Sequence, residues 1–126
     1  MGDSEGMVKS FSFWQRLGFA LNGIKVTFCY EINFKIQLTF AMGAISALVF
    51  FRAATLWWAI FFVVIAGVLS LEVLNTAVES LADALHPNPH PLVGRAKDCA
   101  AGAVLIWSLV SLAVFAVFLY EHCFSF

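Results

Sequence analysis

The sequence predicts an all-α membrane protein: an N-terminal amphipathic helix on the bilayer surface, followed by three transmembrane helices. Three observations carry this. Of the 126 residues, 62% are hydrophobic and only 12% charged, whereas the apolar share of a soluble domain is nearer ~45–50%. The apolar residues gather into three runs long enough for membrane helices. The segments between those runs are too short to hold another domain, so residues 1–126 form one membrane domain.

Residues 1–9 are polar and read as a tail, and no cleavable signal peptide is expected. Residues 10–35 form the surface helix. Phe11, Trp14, Leu17, Phe19, Leu21, Ile24 and Phe28 are interspersed with Arg16, Asn22, Lys25 and Glu31. That mixture is too polar to span, but its aromatic and basic content suits the headgroup layer. Ser10 or Ser12 is placed to cap it. Arg16 and Lys25 are either lipid anchors or phosphate contacts. Arg16 and Phe19 are candidate nucleotide contacts, and Lys35 is a candidate lipid contact. Glu31 and Lys35 have the spacing of a helical ion pair, worth only about 0.2–0.5 kcal/mol. A functional role for Glu31 is an equal alternative.

The first span is expected over 36–51, with Lys35 and Arg52 snorkelling at its ends and its helix continuing upstream. Arg52 to Thr55 is a minimal turn. Trp57 and Trp58 then stand where an aromatic belt belongs. The second span is expected over 56–85. Its first sixteen residues, Leu56 to Leu71, carry no charge. Residues 86–95 are a loop, because Pro87, Pro89 and Pro91 cannot continue a helix. His86 and His90 have no Cys or third His nearby in sequence, so a structural metal is not expected there. The third span is expected over 96–120, and from Cys99 to Tyr120 it is uncharged. Ala100, Ala101, Gly102 and Ala103 give it a small-residue face for close packing. Cys29, Cys99 and Cys123 lack metal or redox spacing and are expected as free thiols.

The second span changes character without a break. Glu72, Asn75, Glu79 and Asp83 recur at intervals of three, four and four. On one continuous helix they fall within roughly 80° of arc. An uncompensated acid in hydrocarbon costs at least ~2.5–3.5 kcal/mol. The stripe therefore needs partners: cations, other helices or water. Solvated acids on a helix leaving the membrane would explain Asp83 well and Glu72 badly.

Lys9, Arg16, Lys25 and Lys35 precede the first span, and Arg95 and Lys97 follow the second. Only Arg52 lies on the opposite side. This bias predicts a cytoplasmic N-terminus and Pro-rich loop, with the polar stripe at the cytoplasmic rim. Net charge is −1, and no long basic run suggests nucleic acid as a partner.

Carboxylates for Mg²⁺ and Lys or Arg for phosphate are the parts phosphoryl transfer needs. An acid at the membrane boundary is placed to take a proton from a lipid hydroxyl. No GxxxxGK[ST] loop or protein-kinase motif set is present.

The run Glu72-Val-Leu-Asn75-Thr76-Ala-Val-Glu79-Ser-Leu-Ala-Asp83 resembles the ExxN[ST]xxExxxD signature of the prokaryotic diacylglycerol kinase family, which includes undecaprenol kinases. Gly94-Arg95-Ala-Lys97-Asp98 resembles its second motif. The likeness runs from about Trp14 to Tyr120. It implies a homotrimer in the bacterial inner membrane, with active sites shared between subunits. It also implies transfer of the ATP γ-phosphate to a membrane lipid alcohol, with Mg²⁺. By position, Glu72 is then the general base, with Asn75 positioning the groups around it. Glu31 and Glu79 hold Mg²⁺ against ATP, and Lys97 and Asp98 meet the nucleotide. Asn88 and His90 lie beside it in the loop. Ala82 stands where a Val is usual. Leu21-Asn22 replaces the Trp-Lys of diacylglycerol-specific members. Asn22-Gly-Ile-Lys25, Glu31-Ile-Asn-Phe and His90-Pro-Leu are closer to the undecaprenol branch. A small transporter or proton relay is the alternative, but it would want its acids nearer mid-membrane.

Overall fold

The computed structural model describes residues 10–124, so the tail expected over 1–9 lies outside the described residues. Four helices follow one another: α1 Phe13–Tyr30, α2 Ile32–Phe50, α3 Thr55–Leu85 and α4 Pro91–Cys123. The last three are long and apolar enough to cross a membrane. The chain is an all-helical, multi-pass membrane protein.

Ser12 caps α1 through a capping box. Its hydroxyl accepts from the Gln15 N–H, and the Gln15 side chain accepts from the Ser12 N–H. The surface helix expected over 10–35 is cut at Glu31, which is extended (φ −111°, ψ 110°). The helix of the first span begins at Ile32, upstream of residue 36, and Lys35 belongs to α2. No Pro or Gly marks the break. Lys35 does not pair with Glu31; its ammonium lies over the Phe28 ring, 5.4 Å from the centroid.

α2 closes with a Schellman motif. The Ala53 N–H donates to the Leu48 carbonyl and the Arg52 N–H to that of Val49. Arg52 takes the left-handed conformation there (φ 51°). At ~1.5 Å per residue, α3 carries Glu72 about 26 Å from its start, near the edge of a hydrocarbon layer about 30 Å thick. Glu79 and Asp83 lie farther along the same axis. After Leu85 the loop is shorter than the expected 86–95: α4 starts at Pro91, where a fixed φ suits the first helical position. The His90 ring caps it, accepting from the Leu92 N–H.

The apolar core sits at the turn end, where Leu48, Phe61 and Phe118 are buried. Phe61 and Phe118 meet edge-on with centroids 5.1 Å apart. Trp57 turns into this cluster instead of standing in an outer belt. Its indole N–H donates to Glu121, tying the start of α3 to the end of α4. The close helix crossing falls at Gly67, where an added Cβ would sit 2.7 Å from the Trp107 ring. Gly102, expected to make such a contact, has open space within its own chain.

Candidate active site

Glu72 is almost wholly buried, with 1% of its surface exposed. Helix α3 places it there as part of the i, i+3, i+4 stripe, and α2 covers it. The Gln37 amide, reaching from α2, donates to Glu72 Oε2 at 3.5 Å. Glu72 Oε1 is buried without a hydrogen-bond partner among the described residues, as are Gln37 Oε1 and Asn75 Oδ1. Buried polar atoms left unpaired cost about 1–3 kcal/mol each. Such a group of acceptors lacks a donor or a cation. Next to it, the Thr76 hydroxyl satisfies itself on the Glu72 carbonyl.

Two further carboxylates lie around Glu72. Glu79 stands two turns along the same face of α3, and Glu31 sits at the break between α1 and α2, both of which pack against α3. Glu31 makes no side-chain capping bond at the start of α2, so its carboxylate is free for another task. Asn75 donates to Glu79 Oε1 at 3.3 Å, holding that acid rather than Glu72.

The second group of expected site residues lies around the loop. Lys97 forms an ion pair with Asp83, joining α4 to the last turns of α3. This gives Asp83 a partner, and Lys97 pairs with it rather than with Glu31 or Glu79. Lys97, His86, Asn88, His90 and Gly94 line an open cavity of about 320 Å³. The His86 and His90 rings pack edge-on, 4.9 Å apart. His86 Nδ1 bonds the Asn88 carbonyl. Asp98 is exposed on α4 and is not part of the cavity lining. Arg16 is exposed on α1, and Phe19 packs edge-on with Phe11.

A third feature is an apolar groove of about 590 Å³ between α2, α3 and α4. Gln37 and Thr39 stand at one end of its lining, and Ser108 and Ser111 on the α4 side. Gln37 escaped the sequence reading. Its signal was there: a lone amide in an otherwise apolar span faces the protein interior.

The buried carboxylate at the membrane edge and the open loop cavity are thus two separate features of the fold. The model of the family "Prokaryotic diacylglycerol kinase" matches residues 18–119. The chain belongs to the prokaryotic diacylglycerol kinase family. It is a membrane lipid kinase, and membership implies the use of ATP. Undecaprenol kinase of Bacillus subtilis (strain 168) is 34% identical over 102 residues, 81% of this chain and 83% of that protein. Diacylglycerol kinase of Synechocystis sp. is 33% identical over 97 residues, 76% of this chain and 55% of its own length. Diacylglycerol kinase of Escherichia coli (strain K12) is 38% identical over 55 residues, covering 44% and 45%.

Proposed function

We propose that the protein transfers the γ-phosphate of ATP to the hydroxyl of a membrane lipid, undecaprenol or diacylglycerol. The observation that carries this is Glu72: a buried carboxylate at the hydrocarbon edge, with one oxygen unpartnered. Glu72 takes the proton of the lipid hydroxyl. The lipid oxygen then attacks the γ-phosphorus, the bond to the β–γ bridging oxygen breaks, and ADP leaves. The breadth of the match to the undecaprenol kinase favours the isoprenoid alcohol; the two diacylglycerol kinases keep the glycerolipid as the second reading.

Among the described residues, no three acidic, His or Cys side chains converge as a ready metal cage. That fits Mg²⁺, which commonly takes one or two carboxylates and completes its shell with phosphate oxygens and water. Glu31 and Glu79 are the carboxylates proposed to hold it. When bound, Mg²⁺ neutralises charge on the transferring phosphate. Lys97, with Asn88, His90 and Asp98, is proposed to receive the nucleotide in the loop cavity. Arg16 and Phe19 of α1 are proposed to close over it, with α1 lying in the headgroup layer. Lys35 is proposed to meet the lipid.

A homotrimer in the bacterial inner membrane, with the N-terminus and active site cytoplasmic, completes the proposal. The basic bias of the two cytoplasmic segments supports the orientation. The open face around Gly102 and the exposed apolar side chains along α4 support packing against further copies. Purified protein in detergent is to be given γ-labelled ATP, Mg²⁺ and each lipid in turn. The expected result is label in the lipid fraction, faster on undecaprenol than on diacylglycerol. No labelled lipid from either alcohol would overturn the proposal.

A further inference from the structure

We infer that Gln37 is the positioning residue of Glu72, and that it decides which oxygen of that carboxylate faces the lipid hydroxyl. The inference rests on Glu72 being the base.

An ionised carboxylate only accepts hydrogen bonds, so the group facing Glu72 Oε2 must be the NH₂ of the Gln37 side chain. That contact runs between helices, from α2 to α3. The neighbouring polar side chains of α3 are turned elsewhere. Asn75 donates to Glu79, and the Thr76 hydroxyl to a backbone carbonyl. Gln37 is thus the one side-chain donor that reaches the Glu72 carboxylate among the described residues. With Oε2 engaged, Oε1 is left buried and unpartnered, and it is the oxygen that can take a proton. The Gln37 Oε1 atom is also buried and unpartnered beside it. Gln37 further lines the apolar groove, so it stands where a lipid chain would pass the base.

A long carboxylate side chain without this contact has several rotamers to choose from. A displacement of about 1 Å at a reacting group can cost roughly a hundredfold in rate. A positioning residue therefore shows in kcat, and only through the group that it positions.

The test uses Gln37→Met, which keeps length and volume but removes the amide, alone and combined with Glu72→Gln. Full-length protein is assayed with ATP, Mg²⁺ and the accepted lipid alcohol, and melting is recorded for each variant. Expected for Gln37→Met are a kcat reduced about ten- to a hundredfold, KM for ATP and lipid within about twofold, and an unchanged melting temperature. Added to Glu72→Gln, it should remove nothing further, because the group it positions is already gone. Four results would overturn the inference. They are unaltered kcat, a raised lipid KM at constant kcat, a parallel fall of melting temperature and all kinetic constants, and a full additional loss in the double variant. Full activity of Glu72→Gln on its own would instead strike the reading of Glu72 as the base.

Discussion

Glu72, Asn75, Glu79 and Asp83 behave as three kinds of residue, although one spacing rule found all four. Glu72 is buried with a free oxygen, Asn75 holds Glu79, and Asp83 holds Lys97. The stripe was legible because helical periodicity needs no tertiary information. The Gln37 and Lys97 pairings were not, because they join residues 35 and 14 positions apart through helix packing. Glu79→Ala should weaken Mg²⁺-dependent ATP binding, read by calorimetry with and without chelator. A Mg²⁺-dependent affinity equal to that of the unmutated protein would remove Glu79 from the metal site. Lys97→Met should raise the KM for ATP about tenfold or more, since a bond to a charged group contributes about 1.5–3 kcal/mol. Its melting temperature should barely move, because the Lys97–Asp83 pair is largely exposed and such pairs add little. A large melting shift would mean that Lys97 is structural.

Among the elements, α3 and α4 hold the fold together at two places. One is the aromatic cluster at the turn end, where Phe118 has no exposed surface. Phe118→Ala should destabilise by about 3–5 kcal/mol; a change under 1 kcal/mol in denaturation would show that the cluster collapses freely. The other is the crossing at Gly67, where a methyl group would meet the Trp107 ring. Gly67→Ala should cost about 1–3 kcal/mol, and Trp107→Leu should recover part of it. The three spans were legible from apolar run lengths. The break at Glu31 was not, since no residue there disfavours helix. Nor was the choice of Gly67 over Gly102, because a small residue in sequence does not say which helix approaches it.

As a whole molecule, the chain buries few side chains and leaves apolar faces along all three spans. Those faces suit lipid and the proposed neighbouring copies. Cross-linking in detergent should stop at a trimer, and a single band at the monomer would contradict the shared-site arrangement. The free cysteines report orientation, for Cys29 lies in the last turn of α1 and Cys123 at the far end of α4. A membrane-impermeant thiol reagent should label Cys123, and not Cys29, in intact spheroplasts. Fold class and family were readable from composition and two motifs; the proposed orientation rests on seven basic residues, and that labelling tests it. The most direct measurement is turnover and nucleotide binding of Glu72→Gln. It should assemble and bind Mg²⁺-ATP normally while losing phosphate transfer by more than about a hundredfold. Transfer at the unmutated rate would mean that the buried carboxylate is not what activates the lipid.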